Sequence, residues 1–186
     1  FISLIKREID NAKKGKKARM ILKMNSIQDE EMINYLYEAS KAGVRIKLII
    51  RGICSLVPGQ KDFSENIEAI SIVDRFLEHS RVFIFHNDGV PEVYLSSADW
   101  MVRNLHFRVE TLFPVLDQDL AKTIITCLNI QLNDNVKSRV LDAKISNRYK
   151  KNKDDIAVRS QIETYYFIKR REESKLQLDK NNEIQK

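Results

Sequence analysis

A short apolar run at residues 46–50 (IKLII) constrains the fold more than any other part of the sequence. Gly43 precedes it, Arg51 and Gly52 end it, and its length and β-branched content are typical of a buried strand. Another strand is predicted at residues 18–24, and the apolar residues between the two strands have helical spacing. A strand–helix–strand order predicts a parallel pair with a crossover helix, and hence an α/β fold.

The pattern before and after this pair predicts further elements. A helix opens the chain and ends near Gly15, and the crossover helix starts at residues 26–29, which resemble a capping box. A long loop is predicted at residues 52–66, and loops of that length in compact domains are often functional. Residues 70–77 are apolar but ambiguous between strand and helix.

The second half of the chain predicts a hairpin and then less regular structure. Two strands, at residues 81–85 and 93–96, flank the turn Asn87-Asp88-Gly89. A buried strand is predicted at residues 109–116, and a helix follows it around Leu120, Ile124 and Leu128. The pattern weakens after Asn133, and one late helix is indicated by Ile162, Tyr165 and Tyr166.

Composition limits the classes of protein that remain. With 43% hydrophobic residues the chain can build a real core, and it has no membrane-length apolar run or signal peptide. Cys54 and Cys127 lack metal-ligand spacing, which predicts a reducing compartment. Because the chain starts at Phe1 without a Met, inside a helical pattern, we interpret it as a C-terminal piece of a longer protein.

The net charge of +6 is concentrated at one end of the chain. Residues 1–136 contain 18 basic and 18 acidic residues, whereas residues 137–186 contain 14 and 8. The basic end could meet nucleic acid, a membrane or polyphosphate, or could be a solvated helix with a disordered end.

The first candidate for a binding residue follows directly from the predicted sheet. In an open α/β sheet ligands gather beyond the carboxyl ends of strands, where Arg51 lies. A guanidinium there suits a polyanionic ligand, and Gly52 would let a phosphate approach the backbone. We expect Arg51, His79 and residues 96–104 to converge on one cleft at this edge.

Three segments resemble a known family. Residues 51–56 (RGICSL), 75–81 (RFLEHSR) and 93–104 (VYLSSADWMVRN) are similar to the C-terminal region of bacterial polyphosphate kinase, the long-chain-synthesising kind. The resemblance covers roughly residues 1–170, is weaker at residues 158–161, and is interrupted by a Lys/Asn-rich stretch at residues 142–156.

The resemblance implies a fold and a division of the chain. The fold would be α/β, a phospholipase D-like sheet flanked by helices, with a C-terminal helix and a basic tail. Residues 1–135 would form the C-terminal catalytic domain, residues 136–170 an extension with the late helix, and residues 171–186 a disordered charged tail.

The resemblance also implies an activity. The family transfers the ATP γ-phosphate to a growing polyphosphate chain through a phosphohistidine, which would lie upstream of Phe1 together with the Mg²⁺ ligands, so no metal site is expected in this chain. His79 would be the second essential histidine, acting on the nucleotide phosphates as acid/base or electrostatic partner, and Arg51 would bind ATP. The piece alone would be inactive.

The partners implied by the resemblance are ATP, ADP and inorganic polyphosphate. We further expect a homo-oligomer, no nucleic acid, and a cytoplasmic location with peripheral association at the inner face of the membrane.

His79-Ser80-Arg81 is similar to the His-x-Lys motif of the phospholipase D superfamily, in which an imidazole stands beside a phosphate-binding cation. Arginine replaces lysine here, and the superfamily's later aspartate is replaced by His86. The missing aspartate fits the polyphosphate kinase branch, which resembles the superfamily in fold but transfers phosphoryl groups.

Other phosphate-binding candidates carry alternatives. Arg103 and Arg108 could line a polyanion channel or form surface salt bridges with Asp99 or Glu110. Ser96 and Ser97 could donate to a phosphate or cap the strand end.

Two rival functions remain at the level of sequence. One is a phospholipase D-like phosphodiesterase or nuclease, which the two motif departures disfavour. The other is a non-catalytic basic module, in which Arg51 and His79 would be unimportant and binding would depend on residues 137–186 and fall steeply with salt.

Overall fold

In a computed structural model, which describes residues 1–151 and 156–184, a mixed sheet is flanked by helices on both faces. The seven strands lie in the order β6-β5-β4-β1-β2-β3-β7. The strands are β1 (Arg19–Met24), β2 (Arg45–Ile50), β3 (Ile67–Ile72), β4 (Arg81–Phe85), β5 (Glu92–Ser96), β6 (Leu112–Pro114) and β7 (Ser138–Leu141). The helices are α1 (Ile2–Lys13), α2 (Glu30–Lys41), α3 (Val102–Phe107), α4 (Gln118–Leu132) and α5 (Ser160–Ile184).

The predicted parallel pair forms the centre of the sheet. β1 pairs with β2 and β2 with β3, all parallel, and α2 is the crossover between the first two strands. β4 runs antiparallel to β1 and continues into the hairpin with β5. The α/β fold class is therefore confirmed, together with the predicted hairpin around residues 87–89.

Two apolar clusters cover the two faces of the sheet. On one face α1 and α2 pack against the central strands, with Ile5 and Leu36 completely buried. On the other face α4 contributes Ala121, Leu128 and Leu132. Trp100 is also completely buried and stacks on Phe83, with ring centroids 5.5 Å apart.

The start of α2 differs from the prediction. The N-cap is Asp29, whose side chain accepts a hydrogen bond from the backbone N–H of Met32 at 3.1 Å. The interpretation of residues 26–29 as a capping box was therefore wrong. Ser26 instead directs its hydroxyl to the backbone N–H of Ile53 at 3.3 Å, in the loop after β2.

The strand predicted at residues 109–116 is also different. Only β6 forms there, at the edge of the sheet, and all three of its residues are exposed. Val109 and Leu116 lie outside it and are exposed as well. The apolar composition suggested burial, but Pro114 suits an edge strand, because a proline has no N–H for a further partner.

The sheet does not stop at the predicted boundary near residue 135. β7 pairs antiparallel with β3, and α5 continues to Ile184 through most of the segment predicted to be a disordered tail. The division of the chain at 135 and 170 stays a prediction. Residues 152–155, in the Lys/Asn-rich stretch, and residues 185 and 186 lie outside the described residues.

None of the helices in the described part of the chain combines the length and apolar character that crossing a bilayer requires.

Candidate functional site

One edge of the sheet collects the ends of nearly every strand. β1, β2 and β3 end there because they are parallel, and β5 ends there because it is antiparallel to β4. β4 begins at the same edge, with Arg81 paired to Ser96. The topology therefore brings Asn25, Arg51, Arg81 and Ser96 together, although they are far apart in the sequence.

Asp99 is the centre of the hydrogen-bond network at this edge. Arg81 donates to both carboxylate oxygens, with Nε 3.2 Å from Oδ1 and Nη2 3.0 Å from Oδ2. The backbone N–H of Asn25 donates to Oδ1 at 2.7 Å, and that of Ser26 at 3.3 Å. The buried carboxylate thus joins the loop after β5 to the end of β1 and the start of β4.

The electrostatics of Asp99 follow from these contacts. Burial raises the pKa of the carboxyl group, but the hydrogen bonds from Arg81 and Asn25 outweigh it, so the pKa lies below its ordinary value. Asp99 is therefore ionised at neutral pH and compensates the charge of Arg81.

Arg51 is connected to the same network through Asn25. Its Nε donates to the side-chain oxygen of Asn25 at 3.2 Å, and the side-chain nitrogen of Asn25 donates to Asp99 Oδ2 at 3.3 Å. Among the described residues the two Nη groups of Arg51 have no hydrogen-bond partner within 3.5 Å. Four N–H bonds of a fixed cation are therefore available to an anion at this edge.

Gly52 explains how Arg51 and Asn25 come so close. The backbone N–H of Gly52 donates to the carbonyl of Asn25 at 2.7 Å. A Cβ at position 52 would lie 3.1 Å from that carbonyl oxygen and from the hydroxyl of Ser26. The close contact between the loops after β1 and β2 therefore favours glycine here, whereas the sequence suggested that the glycine lets a phosphate approach the backbone.

His79 is exposed and is held by Arg81. The Nη1 of Arg81 donates to the backbone carbonyl of His79 at 2.8 Å and lies 3.2 Å from the imidazole Nδ1. An arginine nitrogen is always a donor, so in this contact Nδ1 accepts and the proton is on Nε2. The structure thus joins His79, Arg81, Asp99, Asn25 and Arg51 in one continuous network.

Ser96 and Ser97 hold the turn that follows β5. The hydroxyl of Ser96 donates to the carbonyl of Thr111 at 2.7 Å, and that of Ser97 donates to Glu110. The backbone N–H groups of Ala98 and Thr111 donate back to these two hydroxyls at 3.0 Å. Of the two interpretations left open, these contacts favour the capping of the strand end.

Arg103 and Arg108 are exposed, on and just after α3. Asp99 pairs with Arg81, and Glu110 bonds Ser97 and Asn104, so the predicted salt bridges to these carboxylates do not form. Within the described part of the chain, neither arginine has an ion-pair partner within 4.0 Å.

A second polar cluster, which the sequence pattern did not predict, lies beside the first. Lys23 on β1 is only 2% exposed and forms an ion pair with Glu78, the neighbour of His79. Arg159 pairs with Asp74 through two hydrogen bonds of 2.7 and 2.9 Å. The Lys23 ammonium at a strand end and the weak match at residues 158–161 were the only signals in the sequence that pointed to this cluster.

His86 lies at the opposite edge of the sheet, just after β4, where Arg19 donates to its Nδ1 at 3.2 Å. The position at which the phospholipase D motif has an aspartate is therefore remote from His79. In the described part of the chain no group of three or more His, Cys, Asp or Glu side chains is arranged to hold a metal ion.

The fold defines the class of protein. The solved structure of Nuc from Salmonella typhimurium, a phospholipase D family member, superposes with a TM-score of 0.52 at 16% identity, over 73% of this chain and 89% of Nuc. NucT from Helicobacter pylori gives 0.50 at 12% identity. The chain thus has a phospholipase D-like fold, and these two comparisons concern the fold alone.

A more specific similarity identifies the family to which the chain belongs. The family model described as polyphosphate kinase C-terminal domain 2 matches residues 1–161, so the chain belongs to this family. Polyphosphate kinase from Vibrio cholerae is 54% identical over 166 residues, which is 89% of this chain and 24% of the relative. The crystal structure of polyphosphate kinase from Porphyromonas gingivalis superposes with a TM-score of 0.90 at 52% identity, over 92% of this chain and 26% of that one. The chain therefore spans about a quarter of the length of the relatives it matches.

Proposed function

We propose that this chain is the C-terminal catalytic part of a polyphosphate kinase. The complete enzyme would transfer the γ-phosphate of ATP reversibly to a growing inorganic polyphosphate chain, through a phosphohistidine that precedes residue 1. Family membership supports the reaction. The observation that carries the site is the network that joins Arg51 to His79 at one edge of the sheet.

The proposed roles follow from which N–H groups are free. Phosphoryl transfer depends mainly on positioning and on neutralising charge. Arg51 would clamp the ATP phosphates with its two unoccupied Nη groups. His79 would act through its Nε2–H, as a proton donor or a stabiliser of developing charge. Arg81, which already donates to Asp99 and His79, would orient the imidazole and add positive charge.

The remaining candidates would contribute less directly. Arg103 and Arg108, whose guanidinium groups have no ion-pair partner among the described residues, would contact the polyphosphate chain. Ser96 and Ser97 would shape the turn beside it, because their hydroxyls are engaged with Thr111 and Glu110.

The metal required by ATP chemistry would be held elsewhere in the enzyme. Asp99 is the carboxylate at the centre of this network, and both of its oxygens accept hydrogen bonds from Arg81 and Asn25. The residues here therefore do not fit a Mg²⁺ site, and ligands upstream are proposed. A homo-oligomer, a cytoplasmic location and peripheral association with a membrane stay predictions.

The proposal is tested by two substitutions in the complete enzyme. His79→Ala should lower ATP-dependent polyphosphate synthesis by at least ~100-fold, because an acid/base or charge-stabilising group is lost. Arg51→Ala should chiefly weaken nucleotide use and raise the KM for ATP. His86→Ala and Arg45→Ala at the opposite edge are the matched controls and should leave synthesis unchanged. Near-normal synthesis by the His79→Ala enzyme would contradict the proposed function.

A labelling experiment separates the roles of the histidines. Residues 1–186 alone should neither retain radiolabelled phosphate from ATP nor make polymer, because the nucleophile lies upstream in the proposal. Labelling of this chain on His79 would make that residue the nucleophile.

A further inference from the structure

The segment that carries His79 is poorly anchored by apolar contacts. It is the β3–β4 loop (residues 73–80), between the end of β3 and the start of β4. Its apolar side chains face solvent, with Val73 and Leu77 each 69% exposed and Phe76 62% exposed. Burial therefore does not fix the conformation of this loop, and its polar contacts must do so.

Gln161, in the first turn of α5, holds the β3–β4 loop through hydrogen bonds of its side-chain amide. Its Oε1 accepts from the backbone N–H of Phe76 at 2.9 Å, and its Nε2 donates to the carbonyl of the same residue at 2.8 Å. The same Nε2 donates to Glu78 Oε1 at 2.8 Å. One side-chain amide thus satisfies both peptide groups of Phe76 and the carboxylate next to His79.

Lys23 holds Glu78 from the sheet side. Its ammonium group is buried on β1 and pairs with Oε2 of Glu78, whose side chain is 12% exposed. A buried ammonium without a partner is strongly unfavourable, so this pair is kept together. Glu78 is therefore fixed between a strand and a helix.

The start of α5 is bound to the end of α4 as well as to the loop, which it also contacts through the Arg159–Asp74 pair. Asp134, at the end of α4, accepts from the backbone N–H and the hydroxyl of Ser160 at 2.8 and 2.7 Å. Asn135 exchanges hydrogen bonds with Val158, at 2.7 and 3.1 Å. Gln161 therefore lies at a helix start that is anchored by hydrogen bonds, and it holds the loop against that helix start.

We propose that Gln161 and the Lys23–Glu78 pair are positioning residues, which hold the β3–β4 loop so that the imidazole of His79 meets the ATP phosphates. The inference rests on the proposed function. It gives residues outside the Arg51–His79 network a role in positioning His79, and it makes the start of α5 part of the site.

The decisive variant is Gln161→Glu. It keeps the length of the side chain and the acceptor for Phe76 N–H, but it removes both donor hydrogens and places a carboxylate against Glu78. A negative charge in the first turn of a helix is favourable, but the two lost hydrogen bonds and the repulsion from Glu78 outweigh it, so the urea midpoint should fall modestly while the protein stays folded. In the complete enzyme kcat should fall ~10- to 100-fold, with the KM for ATP changing less than about threefold, because misplacement of a catalytic group acts on the chemical step.

Gln161→Ala gives a second measurement, on residues 1–186 alone. The hydrogen exchange of the Phe76 amide should accelerate by at least ~10-fold, because its acceptor is lost. Lys169→Ala is the matched control on the same helix, since that lysine is exposed and its ion pair with Glu173 at 3.9 Å is weak. It should change neither kcat nor the exchange rate.

The outcomes distinguish this inference from the function on which it rests. If Gln161→Glu keeps the wild-type kcat while His79→Ala abolishes synthesis, the positioning role is wrong and the proposed function stands. An unchanged exchange rate at Phe76 in Gln161→Ala would likewise overturn the positioning role. If His79→Ala retains synthesis, the proposed function fails, and this inference with it.

Discussion

At the scale of single residues, Asp99 decides how the candidate site is assembled. In the sequence, Asp99 and Glu110 were alternative surface salt-bridge partners for Arg103 and Arg108. Asp99 pairs instead with Arg81, which lies on another strand, and accepts from the backbone of a third segment. Composition and spacing could not reveal this, because the contact depends on which strands are neighbours.

The charge of Asp99 gives the first test at this scale. A carboxyl group whose pKa is lowered in the fold contributes stability above its unfolded pKa, near 4, and loses it as the pH falls through the folded value. Asp99→Asn in residues 1–186 should therefore lower the free energy of unfolding at pH 7 by about 3 kcal/mol, because Arg81 is left without its buried partner.

Urea unfolding at pH 7 and pH 3 measures this effect. The difference between Asp99→Asn and the wild type should shrink at pH 3, which lies below the unfolded pKa near 4, because the unfolded wild-type chain then binds a proton that the folded protein binds only at lower pH. Asp88→Asn is the control, because its pair with Lys16 is exposed and should contribute less than about 1 kcal/mol. A difference between the proteins that is the same at both pH values would argue against an ionic role for Asp99.

At the scale of elements, the hydrophobic periodicity of the sequence predicts the central strands of the sheet correctly but not the strands at its edges. Strands β1, β2, β4 and β5 have short apolar runs, and the sequence predicts them well. β7 (SRVL) is too short and too polar to stand out, and it forms because β3 offers an unpaired edge. Residues 109–116 were predicted to form a buried strand because they are apolar. The structure has only a short exposed strand there, since apolar side chains also occur on exposed edges.

The cap of α2 provides a test of one element. Asp29→Ala should lower the free energy of unfolding by about 1–2 kcal/mol, because the N–H of Met32 loses its acceptor and a negative charge leaves the helix start. Ser26→Ala should have the smaller effect in the same urea titration, since its hydroxyl only accepts the longer bond from Ile53. The reverse order would restore the cap predicted from residues 26–29.

At the scale of the whole molecule, the C-terminal quarter is joined to the sheet and to the candidate site. β7 covers the outer edge of β3, and Arg159 and Gln161 reach the loop that carries His79. The sequence could not show this, because the basic excess of residues 137–186 resembles that of a solvated tail. The polar contacts that attach the segment span up to 85 residues.

Removal of this quarter is the corresponding test. A chain that ends at residue 135 would lose β7 and would expose the edge of β3, including the backbone of Ile70 and Ile72. We expect a lower thermal midpoint and a less cooperative transition by circular dichroism than for residues 1–186, because buried strand edges become unpaired. Equal midpoints for the two chains would support an independent domain at residues 1–135.

The contact at Gly52 has a consequence for reading related sequences. The loops after β1 and β2 touch there because position 52 has no side chain, and this contact sets the spacing between Asn25 and Arg51. The residue at this position therefore indicates how closely the loops after β1 and β2 approach each other. In a protein of the same fold with alanine at 52, the added Cβ would press on the Asn25 carbonyl and the Ser26 hydroxyl, so the loops would have to shift by a few tenths of an ångström and the arginine would shift with them.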